Sequence, residues 1–411
     1  MRRRPSLIIV LTALLCSCSK GPVGPIQNPA ARPLTSAEQE IIASGNSFGF
    51  KLLQTVNSSD KDSNVFISPL SVSMALGMTL NGAHGATHDS MCNTLGLNGM
   101  TQEGINENFK SLMALLAGLD SKVIFQIANS IWYRQGFQVE QEFVTTNKTY
   151  FDAEVTGLDF SLPTASQTMN AWVDEKTNGK IQKIVPDHID PLTRMYLINA
   201  IYFKGTWTYQ FDSTKTKDTT FILSGGNQTT CRMMHIDGEF DYAENDRYQA
   251  VDLPYGDGSF SMTVLLPKTG ADINSFIDEL TKNSWQSLAS DREKTEGDVY
   301  LPKFKLEYGK SLNDALRAMG MESAFDPQLA DFTKINKDGG LCITDVEHKT
   351  FVSVDEEGTE AAAATSVEIG YTSVLQPQRF FMCVNHPFLF VIRDHHSQGL
   401  LFVGKIIRPR L

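Results

Sequence analysis

Two groups of residues in this chain have the types and spacing that could do chemistry. Gly45-Asn46-Ser47-Phe48-Gly49 fits the Gly-x-Ser-x-Gly pattern, in which a serine nucleophile sits on a sharp turn between a strand and a helix. His84, His88, Asp89 and Cys92 fall at i, i+4, i+5 and i+8, which brings metal-ligand types near one helical face. The elements around them argue against both. Ser47 is flanked by Ile41, Ile42, Phe48, Leu52, Leu53 and Val56 at helical spacing, so it reads as mid-helix rather than as an elbow. The second group lacks the glutamate of an HExxH site, His84 falls in the turn from Gly82 to Gly85, and an exposed helix face is the simpler reading. His395-His396 lie in the polar turn DHHSQG and read as solvated. Neither catalysis, nor a metal, nor a cofactor is expected.

The stretch from Val346 to Ile369 says more. Val346, His348, Thr350, Val352 and Val354 alternate with Glu347, Lys349, Ser353 and Asp355, which predicts a half-buried strand with Phe351 as the one large apolar residue off its inner face. After an acidic break and Gly358, alternation resumes. Thr359, Ala361, Ala363, Thr365, Val367 and Ile369 share one parity and are small or β-branched; Glu360, Ala362, Ala364, Ser366 and Glu368 share the other. Four consecutive alanines would equally suit a helical turn or a solvated linker.

At this point the chain resembles the serpin family of serine protease inhibitors. The family's hinge pattern, Glu, any residue, Gly, Thr and a run of small residues, is matched by Glu356, Gly358, Thr359, Glu360 and Ala361, Ala362, Ala363, Ala364. NVFISPLSVSMAL (Asn64 to Leu76), ANSIWY (Ala128 to Tyr133), WVDEKTNGKI (Trp172 to Ile181), LINAIYFKGTW (Leu197 to Trp207), LPKF (Leu301 to Phe304) and NHPFLFVIRD (Asn385 to Asp394) are similar to serpin signatures and follow the family's order. The resemblance covers roughly residues 37 to 411. It implies an α+β fold: a single large serpin domain, three β-sheets with about eight or nine helices, and an exposed reactive loop near 356–380. It also implies a mechanism, in which a protease cleaves the loop, is caught as an acyl-enzyme, and is carried along as the loop inserts into the main sheet.

By the same resemblance, Ser68, Ser71, Asn199 and His348 match the shutter under which that sheet opens, and Trp207 matches the breach where the loop enters. Taken alone, a Ser-Pro caps a helix and a lone Trp fills a core. Counting from Glu356 as the first residue, the seventeenth is Thr372, which makes Thr372-Ser373 the reactive bond; the length of the loop keeps Tyr371-Thr372 open. Thr372 suits elastase-like pockets and Tyr371 chymotrypsin-like ones. No Arg or Lys occurs between Glu356 and Gln378, which speaks against trypsin-like targets. The expected partner is a serine protease, with papain-like enzymes also possible. The alternative is a non-inhibitory serpin that binds or carries another molecule, but such members often carry Pro or charge in a hinge that here has neither Pro nor an inward charge.

With 411 residues, 41% of them apolar, the chain can bury one large core, and no repeat or long linker divides it after residue 36. A net charge of −11 without clustered Lys and Arg argues against a nucleic-acid partner. Arg2, Arg3 and Arg4 precede the apolar run Leu7 to Leu15, which is too short to span a bilayer and reads as a signal peptide. Leu15-Cys16-Ser17-Cys18 resembles a bacterial lipobox, making residues 1–18 a signal with Cys18 as the lipid-bearing residue, 19–36 a flexible tether and 37–411 the domain. An exported monomer is expected, at the cell envelope or surface and touching the membrane only through that lipid, or extracellular where the cysteines belong to a plain secretory signal. Cys92, Cys231, Cys342 and Cys383 show no disulfide framework in their spacing and read as buried or free thiols.

Overall fold

The computed structural model describes residues 32–359 and 379–411. The first third of these is mainly helical. α1 (Ser36–Ser59) starts at a capping box, with the Thr35 side chain accepting from Glu38 N–H and the Glu38 carboxylate accepting from Thr35 N–H. After the short strand β1 (Val65–Ile67), α2 (Pro69–Leu80) starts on Ser68 as N-cap with proline in its first turn. α3 (Gly85–Leu95) and α4 (Gln102–Ala117) complete the group.

Strands and helices then alternate: β2 (Val123–Arg134), α5 (Gln141–Phe151), β3 (Glu154–Leu158), α6 (Pro163–Lys176) and β4 (Met195–Thr206). Next come β5 (Lys217–Ile222), β6 (Gln228–Glu244), β7 (Tyr248–Tyr255), β8 (Phe260–Pro267), α7 (Ile273–Asp278) and α8 (Lys282–Ser290). After β9 (Glu293–Pro302) and β10 (Phe304–Ser311), a helical run over Asn313–Leu316, Arg317–Met321 and Glu322–Phe325 is kinked at Gly320. The chain finishes with β11 (Glu347–Val354), β12 (Gly358–Thr359), β13 (Phe380–Cys383), β14 (Phe388–Asp394) and β15 (Leu400–Ile406). The fold is α+β, and the kinked run brings the described helices to nine.

Three sheets were expected; the described strands form two. One is six-stranded, in the order β10-β11-β12-β4-β2-β3, and the other is nine-stranded. The larger sheet is continuous because the 17-residue β6 pairs with β9 over Met233 to Tyr242 and with β7 over Asp241 to Glu244, bridging two regions that would otherwise separate. β14 and β15 are buried at every residue, and Phe66 stacks between Phe390 and Phe402 at their centre. A second core lies between α6 and the six-stranded sheet, around Trp132, Met169, Trp172 and Ile198.

The residues set aside as enzyme-like are accounted for. Ser47 lies mid-helix and its Oγ donates to Ala43 O at 3.0 Å. His84 is the N-cap residue of α3 and contacts Asp331 at 3.1 Å. Asp89 is on the exposed face as expected and His88 is half-buried, but Cys92 is a correction: it is buried with its Sγ 3.8 Å from His88 Nε2. Among the described residues no group of three or more His, Cys, Asp or Glu could hold a metal. His395 is not fully solvated either: its Nε2 stands 3.2 Å from the carboxylate of Asp252, which lies buried between Arg292 and Arg393.

Candidate functional site

The strand predicted over Val346 to Val354 forms as β11. His348, Thr350, Val352 and Val354 point inward, and Thr350 Oγ1 donates to Phe66 O at 2.6 Å. One neighbour, β10, pairs with it along its whole length. On the other side the only described partner is β12, two residues long, which lies antiparallel to both β11 and β4: Thr359 opposes Val354 and Gly205, and Gly358 opposes Thr206. No described residue pairs β4 and β11 below that point. β4 has 12 residues, of which only Gly205 and Thr206 are paired on this side; along the ten from Met195 to Lys204, which pair with β2 on the other edge, every second residue turns its N–H and C=O to a slot. A small cavity opens directly beyond Thr359. Ile201 and Phe203 line it on the β4 side, Phe351 and Ser353 on the β11 side, and Lys180 and Ile181 after α6 cover it.

The mouth of the slot is tightly built. Thr359 is 3% exposed and its Oγ1 lies 2.6 Å from the hydroxyl of Tyr255, itself fully buried. Burial raises the Tyr255 pKa, so it stays a neutral phenol. Trp207 stacks on Tyr255 with centroids 4.4 Å apart, its indole N–H donates to Asp355 O at 2.9 Å, and its backbone N–H donates to Glu357 O at 2.8 Å. Gly358 has a definite reason to be glycine: at φ 155° a Cβ would lie 2.2 Å from Gly205 O. The positive φ and the close approach of β4 both demand it.

Glu356 was read from sequence as part of a polar break. It is instead buried, accepting from Thr216 Oγ1 at 2.7 Å and from the ammonium of Lys303. Burial pushes its pKa up, but the hydrogen bonds from Lys303 and Thr216 outweigh it and hold the carboxylate below its ordinary range. Lys303, Thr216 and Tyr255 were not identified from the sequence. Lys303 alone left a signal, as the cation inside the LPKF motif; the other two are placed by tertiary contact.

Deeper along β11, Ser68 N–H donates to His348 Nε2 at 3.0 Å, while Ser68 Oγ donates to Leu401 O at 2.7 Å and accepts from Ser71 N–H at 3.2 Å. Ser68 thus caps α2 and also ties that helix to β11. Because Nε2 accepts, the imidazole proton sits on Nδ1, and complete burial lowers the His348 pKa to about 4. Asn199 belongs to a different chain of bonds: its Nδ2 donates to Asn129 Oδ1 at 2.7 Å, and Asn129 Nδ2 donates to Phe151 O at 2.7 Å. Asn199 Oδ1 is buried without a partner among the described residues. Ser68, Ser71 and His348 are therefore joined directly, and Asn199 stands across the slot on β4. Cys18, Glu360, Ala361, Ala362, Ala363, Ala364, Tyr371, Thr372 and Ser373 lie outside the described residues. The four described cysteines are free thiols, and burial pushes up the pKa of each.

The sequence profile of the family described as Serpin (serine protease inhibitor) matches residues 43–409. A serpin-like protein of Methanosarcina acetivorans is 34% identical over 90% of this chain and 87% of its own length. Among solved structures, the thermophilic serpin tengpin in its native state superposes with a TM-score of 0.83 at 32% identity, covering 92% of this chain and 96% of that one. Human thyroxine-binding globulin, solved in complex with its ligand, has a TM-score of 0.83 at 27% identity, covering 92% of this chain and 100% of that one.

Proposed function

This chain belongs to the serpin family, and from that premise we propose that it traps serine proteases by insertion of its cleaved loop into the slot between β4 and β11. The observation that carries the proposal is β12: the first two residues beyond the hinge acids already occupy the mouth of the slot, in the register a longer strand would continue. The ten residues of β4 unpaired on this side leave room for Glu360 onward, and at roughly 1 kcal/mol per hydrogen bond the ladder alone would stabilise the inserted state by on the order of 10 kcal/mol. The parity Thr359, Ala361, Ala363, Thr365 places small residues inward, where a bulky or charged one would stall entry before water hydrolyses the acyl-enzyme. Ser68, Ser71, His348 and Asn199 act as the shutter and Trp207 marks the breach. The bait is Thr372-Ser373 for elastase-like enzymes, or Tyr371-Thr372 for chymotrypsin-like ones, and papain-like proteases are further targets. The protein works as an exported monomer held at the membrane through lipid on Cys18.

A second reading, a binding or carrier protein, has one observation in its favour. An apolar cavity between α1, α4 and β15, lined by Ile41, Leu95, Phe109, Leu112 and Leu401, has at its wall the buried hydroxyl of Ser73, without a partner among the described residues. Incubation with a panel of elastase-, chymotrypsin- and papain-type proteases, followed by denaturing electrophoresis, separates the two. A denaturant-stable complex supports inhibition, and loop cleavage without any complex refutes it.

A further inference from the structure

Arg379, the first described residue after the loop, directly precedes β13, and the alternation of that strand's side chains is sharp. Phe380 points inward and stacks on Tyr242 with centroids 3.9 Å apart, whereas Phe381 points outward and is 62% exposed. Phe381 does not stand alone. It meets the ring of Tyr300 at 5.4 Å, and Tyr300 stacks on His235 at 4.4 Å, so three aromatic rings from β13, β9 and β6 form a row across one sheet face. Acidic residues border the row in paired register: Asp237 opposes Asp298 and Glu239 opposes Glu296. Arg379 is bonded to Asp237, Glu296 and Asp298, and His235 Nε2 meets Asp298 Oδ1 at 2.8 Å; the next pair in register, Asp241 with Lys294, is neutral. Four carboxylates against one guanidinium leave this face with three net negative charges before His235 is counted.

We infer that this aromatic and acidic face of β13, β9 and β6 is a secondary docking surface for the target protease, and that it selects proteases with a basic rim beside the active-site cleft. The inference rests on the inhibitor reading, since continuity with the bait determines which partner reaches the face. From Thr372 to Arg379 is seven residues (379 − 372), a reach of at most about 25 Å when fully extended. A protease domain of some 230 residues has a radius of gyration of about 17 Å, so an enzyme holding the bait overhangs β13. An exposed aromatic supplies contact area at small entropic cost, and the carboxylates supply steering toward positive potential. In an inhibitor that must be cleaved to act, a longer-lived encounter raises the rate of inhibition without altering how the loop inserts.

The test uses the full chain with two elastase-type proteases, one with a basic and one with a near-neutral surface, and the active-site serine-to-alanine form of each. Phe381→Ser and the pair Glu239→Gln with Glu296→Gln should each slow inhibition of the basic protease about tenfold. The yield of covalent complex should not change, and Leu192→Ala, an exposed apolar residue elsewhere, should have no effect. The wild-type rate should also fall as salt is raised. Unchanged rates in the surface variants overturn the inference, and equal slowing with both proteases overturns the basic-partner assignment. If Phe381→Ser does not fold, the carboxylate pair decides. A wild type that forms no covalent complex, yet binds the serine-less basic protease in a way these variants weaken, removes the inhibitor reading and leaves the surface standing. Binding that the variants leave unchanged, or no binding at all, removes the surface.

Discussion

Thr359→Arg tests the slot most directly, because Thr359 is the innermost described residue within it. Two things happen when the guanidinium replaces the hydroxyl. The Tyr255 phenol, fully buried and 2.6 Å from Thr359 Oγ1, loses its partner, at a cost of about 1–3 kcal/mol. The charge itself would enter a buried site, since Thr359 is 3% exposed, and an unpaired charge there costs several kcal/mol more. The cheaper course is for β12 to leave the sheet, giving up its pairing to Val354, Gly205 and Thr206 and the Tyr255 bond, about 3–4 kcal/mol in total at roughly 1 kcal/mol per bond. The protein should therefore fold with its hinge expelled, and insertion after cleavage must overcome that same penalty. A barrier higher by 3–4 kcal/mol slows insertion roughly 10²–10³-fold, so hydrolysis of the acyl-enzyme overtakes trapping and the inhibitor becomes a substrate. The assay is densitometry of covalent complex against cleaved chain after mixing with protease, with Thr359→Ser as the control that keeps a hydroxyl. Wild-type complex yield in Thr359→Arg would refute the argument.

The remaining predictions use other parts of the site. The buried imidazole of His348, with its pKa lowered to about 4 from an ordinary 6.5, binds its proton more readily in the unfolded chain, so stability is intact above pH 6.5 and falls as pH drops toward 4, by about 3 kcal/mol in all. His348→Gln should flatten that part of a urea-resistance profile, and identical profiles would contradict it. Glu356→Lys places a second ammonium against Lys303 and strands Thr216, so the hinge should loosen, seen as faster amide exchange at Trp207 and Phe211, whose N–H groups donate to Glu357 O and Glu356 O; unchanged protection would count against the pairing. Mass spectrometry of the C-terminal fragment from denatured complex should find a start at Ser373, or at Thr372 in the other register, and a start beyond Gln376 excludes both. Cys18→Ala should release the protein from the membrane fraction, and a wild type that is already fully soluble removes the anchor.

Where periodicity was unambiguous, the sequence was enough. The alternation from His348 to Val354 predicts β11 with the correct inward residues, and the apolar spacing around Ser47 places it inside α1. The Ser-Pro cap and the order of motifs carried the fold class. Contacts between distant elements were not legible: nothing near DLPYGD announces that Tyr255 will bond Thr359, and nothing around Glu356 names Thr216, because such pairs are set by how sheets stack. How the described strands join into two sheets was not legible for a similar reason. Composition does not reveal that β6 is long enough to belong to two neighbourhoods at once. At Gly358 the sequence shows a glycine but not its second reason, the short approach of the β4 backbone that adds to its positive φ.

With the loop inserting as proposed, the slot also makes each molecule both a donor and an acceptor of strand. Its own chain has the advantage of effective concentration, because β12 already occupies the entrance, and a tethered segment outcompetes free ones by orders of magnitude. That advantage disappears once β12 is displaced. A neighbour's loop could then complete the sheet between β4 and β11, and since the donating and accepting surfaces differ, the contact is heterologous and need not close on itself. Linear chains of molecules, each one mended by the next, are the assembly this geometry permits. Two residues of strand and the carboxylate of Glu356 stand against it.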